Sequence, residues 1–265
     1  MNRSLHRAAL LLIASSTLAA QTSTAPKPSL FTASDAIWSA VFLGGSVALS
    51  TADVRITRWM LARHNDSRDA VARNISRAQE GTLTVGNLAL FGVARLAKWP
   101  NVADITFHAA EAVVVGSVAS QVIRGPLGRA RPYESKYTDQ YDFHWFQGFT
   151  NFKYRAFPSI HTASAFGVAT VYTLEAQRRS HKAAWIVGPI AYGLAAAPGI
   201  SRLYQGQHWA SDILSGAFMG TLAGAKIVRY NHVVNRHNRV NRFFLGDANI
   251  QTGFSATGAS FSFTF

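Results

Sequence analysis

At 265 residues, with 48% hydrophobic and only 15% charged residues, the chain can bury a core of one domain or at most two, and lies between a soluble globule and a multi-span membrane protein. The 26 lysines and arginines against 13 acidic residues give a formal charge of +13, which disfavours cationic partners and favours anionic ones. There is no cysteine, so no disulfide staples the fold and packing alone must hold it.

Residues 1–20 set Arg3 and Arg7 ahead of an apolar run, 8–13, and end in small residues at Ala19 and Ala20. That order is a secretory signal cleaved near Ala20, which places the mature chain outside the cytoplasm, in the periplasm or cell envelope. The partners that fit there are phosphorylated lipids and an anionic membrane surface, with no nucleic acid. A polar, proline-bearing leader follows over 21–35.

Apolar segments of helical character come next, at 36–52, 81–97, 104–124, 161–177, 183–197 and 212–230, separated by polar loops. They predict an all-α helical bundle over 36–230. The segments are rich in Ala and Gly, which let helices approach closely in water or in lipid. His108 and Glu111 inside 104–124, and Lys98 directly after 81–97, make poor membrane spans of those two segments. A strict count of spans would also leave Arg178, Arg179 and Lys182 outside, against the positive-inside tendency. The pattern therefore favours a bundle that lies on or dips into a membrane over a multi-span protein.

The tail, 231–265, opens with a basic stretch at 231–242 and closes with Phe261, Phe263 and Phe265 alternating with polar residues. Two alternating runs around SATG predict a short C-terminal β-hairpin. One hairpin cannot close a barrel, so it pads the bundle or frays.

Three stretches carry chemistry. In SRLYQGQHWASD (201–212), His208 and Asp212 are four apart at the start of a helix, so they share a face. An aspartate there can take one ring N–H and leave the other nitrogen free as a nucleophile or base; alone, such a pair is more readily a surface contact. In RGPLGRARPY, Arg124 ends one helix and Arg131 precedes a proline; with Arg202 they could converge as planar forks on a dianion. In FPSIHTASAF (157–166), Ser159 can cap a helix whose free N–H groups form an anion site, with His161 in the first turn. Capping alone would make His161 a passenger.

Together RGPLGRARP, PSIH and SRLYQGQHWASD resemble the three-part signature of the type 2 phosphatidic acid phosphatase superfamily, which also holds bacterial non-specific acid phosphatases and vanadium haloperoxidases. Order and spacing match, with two departures: Arg124 replaces the usual lysine and Ile160 the usual glycine. The resemblance implies a phosphomonoester hydrolase acting on a lipid phosphate or a small phosphomonoester, with no cofactor and no metal. It implies that His208 attacks phosphorus, Asp212 orients it and His161 serves as acid and then base, while Arg124, Arg131, Ser159, Ile160 and Arg202 hold the phosphoryl oxygens.

The resemblance leaves two alternatives open: a vanadate-dependent haloperoxidase with His208 ligating vanadium, and a non-catalytic envelope protein that binds a phosphorylated headgroup, Ile160 crowding its loop. The other histidines, His6, His64, His108, His144, His181, His232 and His237, read as surface or core residues. His108 and Glu111 share a face leading toward Arg124 and could support the site, although a buried structural hydrogen bond is the better account of them. The loop 133–155 is dense in aromatic residues and fits either acyl-chain contact or ordinary lid packing.

Overall fold

The computed structural model describes residues 28–235 and two C-terminal strands. The secretory-signal reading of 1–20 lies outside the described residues, as does most of the basic stretch after Asn235. Eight α-helices make up the body: α1 (Ala33–Ser50), α2 (Asp53–Leu61), α3 (Asp66–Ile75), α4 (Glu80–Leu96), α5 (Pro100–Leu127), α6 (Ile160–Arg179), α7 (His181–Tyr204) and α8 (Ala210–Arg229). A π-helical turn, Tyr230–Val234, follows α8. The strands β1 (Asn249–Ser255) and β2 (Gly258–Thr264) pair antiparallel with Asn249 opposite Thr264, as the alternation predicts. Among the described residues the fold is all-α apart from this hairpin.

The six apolar segments appear as α1 and α4 to α8, with shifted ends. Residues 183–197 suggest a stop before Pro198, yet α7 runs on to Tyr204 with Pro189 and Pro198 inside it. A proline removes one backbone donor; the close packing of α7 on α6 carries the helix past that loss. Helices α2 and α3 were not anticipated, because their polar sequences, DVRITRWML and DSRDAVARNI, lack an apolar run. Asn65 caps α3 by accepting from the Arg68 N–H at 2.9 Å, and Thr32 with Asp35 forms a capping box on α1.

Helix α6 lies at the centre, against α5, α7 and α8. Its contact with α8 uses Gly216, Gly220 and Gly224, one every turn. A Cβ on these would stand 2.4 Å from the Ser159 carbonyl oxygen, 2.0 Å from that of Ala163 and 2.7 Å from that of Gly167. Backbone therefore meets backbone along this seam, which only glycine allows. Helix α5 starts on Pro100 and ends on Gly128, whose φ of 59° is left-handed. A Cβ there would collide with the His144 carbonyl, so the loop after α5 folds tightly back on the helix end.

Helices α1, α5 and α7 are long and apolar enough to cross a membrane, by length and composition. Each leaves large apolar side chains exposed: Ile37, Val41 and Val47 on α1, Val114, Val118 and Val122 on α5, Trp185, Ile190 and Leu194 on α7. A belt of this extent fits lipid and not water, and the chain is membrane-associated. The objection that His108 and Glu111 spoil a span over 104–124 does not hold. His108 is fully buried and Glu111 accepts from Asn231 Nδ2 at 2.9 Å, so both polar groups turn into the bundle.

Candidate active site

The three stretches meet at one end of the bundle: the C-terminal end of α5 with its loop, the N-terminal end of α6, the last turn of α7, and the turn before α8. Arg124, Arg131, Ser159, Ile160, His161, His208 and Asp212 are all buried there, and Arg202 is half-buried.

His208 sits in the turn between α7 and α8. Its Nδ1 lies 2.7 Å from the Ala156 carbonyl oxygen and 3.6 Å from Asp212 Oδ2. A carbonyl only accepts, so Nδ1 carries the proton and Nε2 the lone pair. The Ala156 carbonyl is thus the nearer partner of the ring, and Asp212 Oδ2 stands beside the same nitrogen at 3.6 Å. His208 Nε2 is buried without a hydrogen-bond partner. Burial, outweighing Asp212 and helped by Arg131, pulls the His208 pKa down to about 4, so the ring is neutral near pH 7.

Asp212 is committed elsewhere. Oδ2 accepts from the Trp209 N–H at 2.7 Å, capping α8, and Oδ1 accepts from Arg129 Nη1 at 2.6 Å. Arg129 also donates Nη2 to Asp53 at 2.8 Å and Nη1 to Ser211 Oγ at 2.8 Å. Asp53 in turn accepts from the Ser211 N–H at 2.9 Å. This network of Arg129, Asp53, Ser211 and Asp212 was missed from the sequence. Arg129 lies inside RGPLGRARP, between the two arginines singled out, and its own signal was visible. Asp53, 159 residues before Asp212, had none.

Ser159 does cap α6: its Oγ accepts from Thr162 Oγ1 at 3.0 Å and from the Thr162 N–H at 3.5 Å. Its own N–H donates to the Asp212 carbonyl oxygen at 3.1 Å, so that group does not face an anion. The cap ties α6 to α8 as well as starting the helix. Ile160 is the first residue of α6 and its side chain is buried.

His161 Nε2 lies 2.6 Å from Arg202 Nη2, and 3.9 Å from Glu80 Oε2. A guanidinium only donates, so Nε2 accepts and the His161 proton sits on Nδ1. Nδ1 of His161, Nε of Arg202 and Oε2 of Glu80 are all buried without hydrogen-bond partners. The His161 and His208 rings are 6.5 Å apart, centre to centre. Burial first, then Arg202, His208, Arg131 and Arg124, lowers the His161 pKa to about 2. Those are the arginines expected to converge, and their joint effect on one imidazole marks the convergence. Glu80, in the first turn of α4, was not anticipated.

Arg131 donates Nε to the Phe152 carbonyl at 3.0 Å and Nη1 to the Gln207 carbonyl and Oε1 at 3.1 and 3.0 Å, and lies 3.9 Å over the Phe152 ring. These contacts fix its plane. Burial, with Arg202 and Arg124 nearby, lowers its pKa to about 10. Arg124 Nε donates to Gln121 Oε1 at 2.7 Å. Three guanidinium groups sharing a buried cleft repel one another, and the His161 Nδ1–H there lacks an acceptor; an oxyanion carrying two charges would satisfy both conditions, while the His208 Nε2 lone pair stays free.

Around this cleft the loop 133–155 exposes Tyr141, Phe143, Trp145, Phe146, Phe149 and Phe152. His108 is not part of the site. It bonds Glu175 at 3.0 Å, near the opposite end of α5 from Arg124.

Residues 106–236 match the PAP2 superfamily. A 69-residue stretch is 45% identical to a lipid A 1-phosphatase from Porphyromonas gingivalis, covering 26% of this chain and 15% of that relative's length. A transmembrane PAP2 type phosphatidylglycerolphosphate phosphatase from Bacillus subtilis shares the fold with a TM-score of 0.53 at 20% identity, over 77% of this chain and 98% of that one. Aquifex aeolicus LpxE does so with a TM-score of 0.50 at 20% identity, over 67% and 95%. With the arginine, serine–histidine and histidine–aspartate stretches gathered at one end of an all-α bundle, residues 106–236 of the chain fall within the PAP2 superfamily.

Proposed function

We propose that the protein is a lipid phosphate monoester hydrolase that works through a phosphohistidine. The observation that carries this reading is His208: its Nδ1 is held by the Ala156 carbonyl while its buried Nε2 has no partner and lies in a cleft lined by arginines. A neutral imidazole with a free, oriented lone pair beside an anion site is a nucleophile.

In the first step His208 Nε2 forms a bond to phosphorus as the ester P–O bond breaks, and the departing alkoxide takes a proton from His161. In the second, water attacks phosphorus, His161 takes its proton, and the P–N bond breaks to release phosphate and restore His208. Arg124, Arg131, Arg202 and the N-terminal N–H groups of α6 at Ile160 and His161 bind the non-bridging oxygens. Ser159 holds the start of α6 in place, and Asp212, fixed by Arg129, stabilises the charge that develops on His208.

His161 needs its proton at the right moment. Without an anion its pKa is about 2, and Arg202 occupies Nε2. A bound phosphate attracts Arg202 and supplies two negative charges. Nε2 is then free to protonate, with Glu80 Oε2 at 3.9 Å as a counter-charge. Substrate binding thereby arms its own acid.

The lipid part of the reading rests on the apolar belt and on a cavity of about 410 Å³ lined by Met60, Val71, Ala72, Ile75, Ile200 and Tyr204. It flanks the α7 turn that presents Arg202, so a headgroup phosphate in the cleft and an acyl chain beside α7 fit together. Helices α1, α5 and α7 cross the bilayer in this reading, with the cleft and its exposed aromatic loop at one interface, on the exported side.

The test is hydrolysis of lipid and soluble phosphomonoesters by the full chain in detergent, with initial rates taken directly after adding chelator. Turnover that survives chelation and is lost in His208→Ala supports the scheme. Wild-type turnover in His208→Ala removes His208 as nucleophile, and preference for soluble esters removes the lipid assignment.

A further inference from the structure

At the end of the bundle opposite the phosphate cleft, Asp104 and His108 on α5, Glu175 on α6 and His232 in the π-turn after α8 bring one ligand atom each to within 4.8 Å of one another. From Asp104 to Arg124 helix α5 rises about 30 Å, at about 1.5 Å per residue. The two groups therefore sit about one bilayer thickness apart.

Glu175 divides its oxygens. Oε1 faces the two imidazoles, 3.0 Å from His108 Nδ1 and 2.6 Å from His232 Nε2. Oε2 faces outward to Arg179 Nη1 at 2.9 Å, with Arg178 Nε at 3.8 Å. Asp104 lies 3.6 Å from His108 Nε2 and 3.8 Å from His232 Nε2, with Arg179 Nη2 also at 3.8 Å. His108 and Glu175 are fully buried, and His232 and Asp104 are partly exposed. A cavity of about 380 Å³, lined by Arg178, Asn231, His232 and Val233, opens onto His232.

We infer that Asp104, His108, Glu175 and His232 form a binding site for a divalent transition-metal ion, with zinc the best match. In a tetrahedral zinc site with bonds of 2.0–2.2 Å, neighbouring ligand atoms stand about 3.3 Å apart. His108 can offer only one of its two nitrogens to an ion; with one atom taken from each residue the four lie within 4.8 Å of one another, so the widest pair must close by about 1.5 Å to complete the shell. Two imidazoles and two carboxylates suit zinc, and balance its charge. Arg179, on the outward oxygen of Glu175, is placed as an outer partner that orients a ligating carboxylate. The cavity beside His232 supplies the entry path. Bound there, the ion ties the turn after α8 to α5 and α6. The site takes no part in the phosphate chemistry and does not depend on it.

The experiment is zinc titration of the chelator-stripped full chain in detergent, read by metal analysis after gel filtration, by cobalt(II) absorption and by thermal unfolding. Expected are one equivalent of zinc, the strong visible bands of tetrahedral cobalt, and a higher Tm with zinc. His232→Ala and Asp104→Asn should each weaken zinc binding by about 100-fold or more, beyond what an outer-shell change causes. Both residues are partly exposed, and circular dichroism checks that the variants fold. No bound equivalent, or unchanged affinity in both variants, overturns the inference and leaves an ion-pair network only.

Discussion

The two ends of the α5–α6 pair are built from the same residue types and carry opposite electrostatics. At one end, His161 and His208 lie among Arg124, Arg131 and Arg202, and the one nearby carboxylate with a free oxygen is Glu80 among the described residues. At the other, His108 and His232 lie against Glu175 and Asp104. Helix α6 joins the two: its N-terminal dipole end faces the arginine cleft and its C-terminal end the carboxylates, which favours an anion at the first and a cation at the second. A histidine therefore says little about its ligand; the charge around it decides.

The sharpest break in this comparison is His208→Ala. It should lower turnover by about 10⁴-fold or more, as loss of a nucleophile does, while zinc binding at the far end stays unchanged. Loss of both would show that the ends are not independent, and loss of neither would remove the catalytic assignment.

Arg129→Leu should follow. Removing the guanidinium leaves Asp53 and Asp212 buried without their shared partner, and breaking such a network costs about 3–5 kcal/mol. Unfolding in detergent measures it, and a loss below about 1 kcal/mol would mean that Ser211 and the backbone suffice to hold the carboxylates.

Acid should also separate the ends. An unfolded histidine takes up a proton below about pH 6.5, whereas folded His208 waits until about 4. The unfolded chain binds more protons in that window, so stability falls as pH drops from about 6.5 to about 4. His208→Gln should reduce that slope by the His208 share and leave the share of His161, whose folded pKa is about 2; an unchanged slope would place the sensitivity elsewhere.

Gly220→Ala should cost about 1–3 kcal/mol through overpacking, because its Cβ would stand 2.0 Å from the Ala163 carbonyl oxygen. Unfolding midpoints of this variant against Gly44→Ala, which meets nothing within 4 Å, isolate the seam. Smallest is Ile160→Gly: with the side chain buried at the start of α6, kcat/KM should change by less than about tenfold, roughly 1.4 kcal/mol. A larger gain would show that the β-branched residue crowds the phosphate.

The sequence alone determined the helical class, the six apolar helices, their small-residue content and the three stretches of the site. These are local properties: an apolar period, a cap, a fixed spacing along one helix. Only the tertiary structure decided that the Ala156 carbonyl stands nearer the His208 ring than Asp212 does, that Arg129 joins Asp53 to Asp212, and that Glu80 faces His161. Each depends on residues far apart in the chain meeting when the bundle closes. The same holds for Asp104, His108, Glu175 and His232, which come from three elements. Their chemistry was visible residue by residue, and their meeting was not, because contact across a core is set by how α5, α6 and α8 cross and not by spacing along any one of them.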